Sequence, residues 1–424
     1  MITVIKLILH GNHIANVMYN ERRGCYDFQY TDNFINKGVE PSPIMMPVRE
    51  GMVYRFNNLG EETFKGLPGL LADSLPDTYG RALFEQWLRV VGRTSSNTLE
   101  SLCFMGKRCM GALEFEPSIE TSAHKDKTFE IESLIDVASR ALNEKESFAT
   151  NINDNTAIAD ILQLGTSAGG QRAKAVIAYN KNTGEIRSGQ IEAPKDFDYY
   201  LIKLDGVNGS AGLKETNNYG RIEYSFSELT RKCGIDISEC GLIEENGRAH
   251  FITKRFDRQN GKKIHMQTLC GIAHMDYRLR MAYSYEQAFE VMRGLHLPYS
   301  DIIELFKRIV LNIIIRNNDD HTKNISFLMD EEGTWRLSPA YDVGFAYNPN
   351  GLWTRTHQMS INGKFDNINR RDLLELAANN GIKHANQIIE QISDVASNWR
   401  NIAINCGVPQ TKTDRIYNLF DFLA

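Results

Sequence analysis

A chain of 424 residues is too long for one compact core, so two or three domains or lobes are expected. With 42% apolar and 24% charged residues it has the composition of an ordinary soluble globular protein, which excludes disorder over most of its length. The formal net charge of −5 argues against a broad basic surface that holds nucleic acid unaided, and DNA contact through a partner stays open.

Seven scattered cysteines with no Cys-x-x-Cys pair exclude a disulfide framework and a zinc knuckle, and read as reduced thiols of a cytoplasmic protein. The apolar opening, residues 1–10, is short and no small-residue cleavage site follows, so no signal peptide is expected. The apolar run Ile309 to Ile315 lies between Lys307-Arg308 and Arg316 and is too short to span a bilayer.

In chain order the first expected elements form a β-meander. Residues 1–10 pair across Gly11-Asn12 with 13–19, and a turn at 21–24 leads into the strand 25–30. A long helix follows, capped by Asp77 and ending near Gly92, with Leu83, Trp87, Leu88 and Val91 at helical spacing. The strand 112–115 closes this unit, and the polar run 120–127 is the best linker candidate. After a helix at about 131–142 comes a β-rich block, with strands at 175–179, 189–192, 199–204 and 250–253 and a helix at about 222–233. From Tyr283 onward helices dominate, at 283–294, 299–316, 371–380 and 384–404, interrupted by a hairpin of 324–329 and 334–337. These boundaries suggest three domains, 1–118, 119–258 and 259–424. The expected class is α+β: a kinase-like bilobal fold, with a mixed β-rich lobe and a helical lobe, after a small α/β module.

The stretch Asn318-Asp319-Asp320-His321-Thr322-Lys323-Asn324 carries the most chemistry. Phosphoryl transfer from ATP needs a carboxylate that orients the acceptor hydroxyl and oxygens that hold Mg2+ against the phosphates. Protein kinases place those two groups on one loop with four residues between them. Asp319 and Asn324 meet that spacing and Asp320 does not, so Asp319 takes the catalytic role, with Asp320 second. Asp342 follows the hairpin, where a second metal ligand belongs. Taken singly, the first stretch is an ordinary helix-ending turn and Asp342 a loop acid. Their joint order favours a kinase.

The run Gly165-Thr166-Ser167-Ala168-Gly169-Gly170-Gln171-Arg172-Ala173-Lys174 has small residues that let backbone N–H groups approach phosphate. It is not a Walker loop, because Gln171-Arg172 replaces Lys-Ser/Thr and a β-branched strand follows. Lys203, on the strand 199–204, sits where a kinase keeps its phosphate-facing lysine, with Glu223 or Glu228 as a helical partner. A lone strand lysine is more often a solvated face. Its place in the order gives it weight.

These motifs resemble the HipA family over nearly the whole chain. Leu75-Pro76-Asp77 is similar to the family's N-terminal module, and residues 165–174 to its phosphate loop. Lys254-Arg255-Phe256-Asp257-Arg258 resembles the segment where the lobes join and adenine is held. Residues 319–324 and Tyr341-Asp342 resemble its catalytic and metal motifs, and Met359 to Lys364 a further stretch found in many members. The resemblance implies an ATP- and Mg2+-dependent Ser/Thr kinase toxin whose targets include aminoacyl-tRNA synthetases. ATP would then be held by Ala168, Gly169, Gly170, Gln171, Lys174, Lys203, Lys254, Phe256, His321, Lys323 and Tyr341, and the metal by Asn324 and Asp342. It implies a switch in which Thr166 or Ser167 is autophosphorylated, adding close to two negative charges that repel the nucleotide. It also implies a HipB-like helix-turn-helix antitoxin that brings the toxin to operator DNA. The alternatives are a weakly active corepressor working with that antitoxin, and a kinase of small molecules or lipids. The intact Asp319, Asn324 and Asp342 weigh against the first.

Overall fold

A computed structural model describes residues 2–119, 130–131, 134–135, 173–190, 192–206 and 218–423. The chain divides into two compact units, one of residues 1–39, 48–220 and 240–266 and the other of 40–47, 221–239 and 267–424.

The first unit holds two five-stranded antiparallel sheets. One is built from β1 (Val4–Leu9), β2 (Asn12–Asn20), β3 (Cys25–Tyr30), β4 (Val53–Tyr54) and β5 (Leu113–Glu116), in the order β4-β3-β2-β1-β5. Ile5, Leu7 and Leu9 alternate inward along β1, as a sheet with one covered face requires. The β1–β2 turn falls on His10 and Gly11, both in the left-handed region, one residue earlier than expected. Two consecutive positive φ angles match the twist of a two-residue hairpin, and Gly11 adopts one without steric cost.

The expected helix is Thr78–Val90 (α1). The Asp77 carboxylate accepts from the Gly80 N–H at 2.7 Å and satisfies one orphan donor of the first turn. Val91 follows the last turn and is exposed, so it does not continue the apolar stripe; the Leu83 side chain lies outside the described residues. The helix Thr98–Met105 (α2) was not anticipated, although Asn97 and Glu100 form a full capping box at its start. Phe104 on α2 packs against Phe84 of α1, with ring centroids 4.6 Å apart.

The second sheet joins β6 (Lys174–Tyr179), β7 (Ile186–Ser188), β8 (Asp198–Lys203), β9 (Cys240–Glu245) and β10 (Arg248–Lys254), in the order β7-β6-β8-β10-β9. β6 is buried on both faces from Lys174 to Ala178, and Ala175, Ile177, Ile186, Tyr200, Ile202 and Ile252 build the core beside it. The strand expected at 189–192 lies earlier, at 186–188, and β9 was not foreseen. Residues 120–129 and 136–172, with the expected linker, most of the helix at 131–142 and the loop residues Thr166, Ser167, Ala168, Gly169, Gly170 and Gln171, lie outside the described residues.

The second unit is mainly helical. From Arg221 on it contains the helix Tyr219–Lys232, then Tyr285–Gly294, Tyr299–Ile314, Arg370–Asn379, Ala385–Ser397 and Trp399–Asn405. The expected single helix 384–404 is broken at Asn398, which closes one helix and opens the next. The helix Tyr299–Ile314 buries Ile302, Leu305, Phe306, Ile309 and Ile313, the i, i+3, i+4, i+7 pattern of a core-facing stripe. It ends through Arg316, whose φ of 52° reverses the chain and delivers Asn317 to Asp320 as a short turn. The hairpin Ser326–Met329 with Trp335–Leu337 follows, its turn tied by the Asp330 carboxylate accepting from the Thr334 N–H at 2.8 Å. No helix among the described residues is long and apolar enough to cross a membrane.

Candidate functional site

In the second unit the turn after Tyr299–Ile314 treats its two acids oppositely. The Asp320 side chain is 1% exposed, and both of its oxygens are engaged. Oδ2 accepts from the Tyr285 hydroxyl at 2.7 Å and lies 2.8 Å from His357 Nδ1, while Oδ1 accepts from the Gln358 N–H at 2.7 Å. Burial, then the nearby Asp320 charge, pushes the Tyr285 hydroxyl well above its ordinary range, so it stays a donor. The Asp319 side chain, by contrast, is 52% exposed.

Asn324 sits at the end of the 3-10 turn Thr322–Asn324 and turns back to Asp319. Its Nδ2 donates to the Asp319 carbonyl at 2.7 Å, which leaves the amide oxygen as the atom suited to a cation. Asp342 and Asn324 line one cavity, together with Asp320, His321 and Tyr341. Asp342 adopts a φ of 51°, a conformation that Asp tolerates better than most side chains, and its carbonyl accepts from Asn317 Nδ2 at 3.4 Å. Tyr341 donates its hydroxyl to the Lys323 carbonyl at 2.6 Å, tying the residue before Asp342 to the turn Thr322–Asn324. The Lys323 ammonium lies 5.0 Å from the centroid of the Tyr277 ring, and His321 packs against the same ring. Asp319, His321, Lys323, Asn324, Tyr341 and Asp342 are thus gathered within the second unit.

Among the described residues no group of three His, Cys, Asp or Glu side chains is arranged to hold a metal ion. Mg2+ bound to a nucleotide does not call for one, because it takes one or two protein oxygens, keeps several waters and shares the phosphates. Asn324 and Asp342, an amide and a carboxylate that line the same cavity, fit that requirement.

In the first unit the expected nucleotide residues are placed separately. Lys174 on β6 is buried and paired with Asp77, Nζ to Oδ2 at 2.9 Å. Asp77 therefore caps α1 and neutralises a core lysine at the same time, so Lys174 is a structural cation as placed. Lys203 on β8 lies 5.8 Å from the Phe251 ring centroid. Glu228, one of its two suggested partners, is bonded to Arg231 on its own helix. Lys254 pairs with Asp198 across β10 and β8 at 2.8 Å, and Phe256 is half-buried two residues further on.

Asp257 has no exposure and is held by both neighbouring arginines. Arg255 meets it in a fork at 2.9 and 2.7 Å, Arg258 at 2.8 Å, and the Gly111 N–H donates to it at 2.6 Å. Arg258 also donates to the carbonyls of Gly111 and Cys109, each at 3.0 Å. Burial raises the Asp257 pKa, but the Arg255 and Arg258 charges outweigh it and hold the carboxyl well below the usual carboxylate range.

A β-rich unit and a helical unit that carries Asp-x4-Asn on a turn, followed by a hairpin and a further Asp, define the protein-kinase-like class of fold. The profile of the HipA-like C-terminal domain matches residues 166–399 and that of the HipA N-terminal domain residues 5–116. The chain belongs to the HipA family. Over its length it is similar to a chain in the solved complex of HipA, HipB and operator DNA from Shewanella oneidensis, with a TM-score of 0.67, 17% identity, and coverage of 97% of this chain and 94% of that one. Two curated relatives carry provisional kinase names. Y4mE of Sinorhizobium fredii is 26% identical over 27% of this chain and 30% of its own length. A Haemophilus influenzae protein is 26% identical over 28% and 39%. The chain thus aligns with only 30% and 39% of the length of these two curated relatives.

Proposed function

We propose that this chain is an ATP- and Mg2+-dependent protein kinase that phosphorylates Ser or Thr, the toxin of a toxin–antitoxin pair. The observation that supports it most directly is the unequal placement of the two acids on the catalytic turn. The Asp319 carboxylate is exposed, with His321 Nε2 3.9 Å away, while Asp320, enclosed by Tyr285, His357 and Gln358, holds the turn in shape. Asp319 orients the acceptor hydroxyl and takes its proton as the oxygen bonds to the terminal phosphorus of ATP, while the bond from that phosphorus to the bridging oxygen breaks and ADP leaves. Asn324 and Asp342 would hold the magnesium ion, which when bound offsets the charge of the phosphates. His321, Lys323 and Tyr341 border the nucleotide, and Tyr341 anchors the segment before Asp342 to the turn.

Autophosphorylation of Thr166 or Ser167 as an off-switch, a HipB-like antitoxin partner, DNA contact through that partner and a target in translation such as an aminoacyl-tRNA synthetase belong to this reading through family membership. Lys203 remains the phosphate-facing lysine in it, with Lys254 and Phe256 beside the adenine. Lys174 joins them only if its pair with Asp77 opens.

The test is phosphate transfer from labelled ATP, to water and to the protein itself, by wild type, Asp319→Asn and Asp342→Ala. Wild type should turn over ATP only with magnesium. Asp319→Asn should lose at least about a hundredfold. Equal turnover in wild type and Asp319→Asn would refute the assignment.

A further inference from the structure

The stretch Met359 to Lys364 takes no part in the transfer proposed for Asp319, Asn324 and Asp342, yet it is braced at both ends. Met359 and Ser360 pair in parallel with Tyr283 and Ser284, immediately before the helix Tyr285–Gly294, and Met359 and Ile361 are fully buried. The chain then reverses at Asn362 and Gly363, whose φ angles of 50° and 75° suit a two-residue turn. Ile361 and Lys364 exchange backbone hydrogen bonds across it at 3.0 and 2.9 Å. The Glu286 carboxylate accepts from the Asn362 N–H at 2.7 Å, and Lys364 Nζ reaches both oxygens of Asp372 at 2.8 and 2.9 Å. The stretch is thus a short hairpin fastened to the first turns of two helices, Tyr285–Gly294 and Arg370–Asn379.

The residues just before this hairpin, His357 and Gln358, lie against the turn 317–320. Gln358 bonds in two directions there. Its backbone N–H donates to Asp320 Oδ1 at 2.7 Å. Its side-chain amide folds back on its own loop: Nε2 donates to the carbonyls of Thr356, at 3.2 Å, and of Trp353, and lies 3.5 Å from that of Asn318. Carbonyls only accept, so the amide presents its NH2 to this cluster. The loop closed in this way receives the turn in its own right, since Asn318 Nδ2 donates to the Thr354 carbonyl at 3.1 Å. Gln358 and Asn318 are both buried, so water competes little for these bonds.

Asp319 stands between Asn318 and Asp320, and its own carbonyl accepts from Asn324 Nδ2 at 2.7 Å. Residues 353–358 therefore hold the backbone on both sides of Asp319, while its carboxylate stays half exposed. A backbone fixed on both sides limits a carboxylate to the few positions its own χ angles allow, which is what orienting an acceptor hydroxyl requires.

We infer that Gln358 is a positioning residue for phosphoryl transfer: its side-chain amide holds the loop 353–356 against Asn318, and so fixes the backbone from which Asp319 meets the acceptor hydroxyl. The hairpin 359–364 is the support that keeps Gln358 in place. The inference rests on the kinase reading above, and Gln358 itself touches neither acceptor nor nucleotide in it.

The test is a double-mutant cycle on labelled phosphate release from ATP with magnesium, using wild type, Asp319→Asn, Gln358→Met and the two together. The folded fraction of each is read from urea unfolding. Methionine keeps roughly the length and volume of the glutamine side chain and leaves the backbone bond to Asp320, so only the amide is removed. Gln358→Met alone should lower kcat by about tenfold or more, with KM for ATP within about twofold of wild type. In the Asp319→Asn background the same substitution should change turnover by less than about twofold, because the group it positions is gone. An equal loss in both backgrounds, or an unchanged kcat per folded molecule, would leave Gln358 a purely structural residue and overturns the inference. So does a raised KM for ATP at unchanged kcat, which moves Gln358 to nucleotide binding. If Gln358→Met does not fold, Asn318→Ala, which removes the bond to Thr354 from the other side, is read in the same cycle and by the same criteria. All of these outcomes leave the kinase reading standing as long as wild type turns over ATP and Asp319→Asn does not. Absence of magnesium-dependent turnover in wild type removes the kinase reading first, and the role of Gln358 with it.

Discussion

Asp320 shows how a buried carboxylate can organise a turn from within. Its two oxygens gather Tyr285, His357 and the Gln358 N–H, from three separate places in the chain. From Tyr285 the bonds run on, since its hydroxyl accepts from Asn312 Nδ2, and Asn312 Oδ1 accepts from Asn317, which also donates to the Asp342 carbonyl. This chain of polar groups therefore joins the turn 317–320 to the backbone of Asp342, the proposed metal ligand. A buried acceptor that loses its donor retains the cost of its desolvation, about 1–3 kcal/mol. Tyr285→Phe should lower stability by about that amount, read as a fall in the urea midpoint. It should also lower kcat for ATP turnover while leaving KM for ATP near the wild-type value, because the nucleotide's own contacts are untouched. Lower stability with an unchanged kcat per folded molecule would reduce Tyr285 to a structural role. None of this network was visible in the sequence. Tyr285, Asn312 and His357 are dispersed, and each alone reads as an ordinary helix or loop residue. The one local signal was the doubled acid at 319–320, where the spacing to Asn324 could rank the two but could not show what the second one does.

At the scale of elements, periodic and capped segments were legible and irregular ones were not. The helix expected after Asp77 and the one expected from 299 exist because each has a strong apolar stripe and a defined end. β9 escaped notice because its residues are half-buried along their length, so no two-residue alternation marks it. The break at Asn398 was hidden by an apolar pattern that continues through it, with Ile392, Ala396, Trp399 and Ile402 all buried. The segment 254–258 was recognisable as a motif, but its work is done by tertiary partners that the sequence does not point to. Asp257 locks the end of β10 to the turn at 109–111 that precedes β5, by accepting from Gly111 while Arg255 and Arg258 reach the Cys109 carbonyl. Asp257→Asn keeps the shape and leaves two buried guanidinium groups without their counter-charge. Removing one partner from such a cluster costs about 3–5 kcal/mol, so this variant should unfold at markedly lower urea than wild type. A shift of the size seen for surface substitutions would mean that water reaches the arginines and compensates them.

At the scale of the whole chain, each of the two units carries a histidine whose pKa is pulled down by desolvation. His250, on β10 of the first unit, accepts from the Asp205 N–H through Nδ1 at 3.0 Å, and burial pulls its pKa down to about 4. His274 in the second unit is likewise pulled down to about 4 by burial. In the unfolded chain a histidine titrates near about 6.5. Between these values the unfolded state binds protons that the native state refuses. The stability tied to each histidine is therefore complete above about 6.5, falls as the pH drops towards 4, and levels off below that. Asp257 and Asp372 are held below the ordinary carboxylate range, and what they contribute is lost only at still lower pH. The window from pH 7 to 5 lies within the range over which both histidines lose their contribution. His250→Asn, whose amide oxygen stands near the position of Nδ1 and keeps an acceptor for Asp205, removes one of them. In urea unfolding followed across that window, the acid-induced loss of stability should shrink by about one proton's worth, a slope of about 1.4 kcal/mol per pH unit at most. An unchanged slope would show that His250 already takes up its proton in the folded chain.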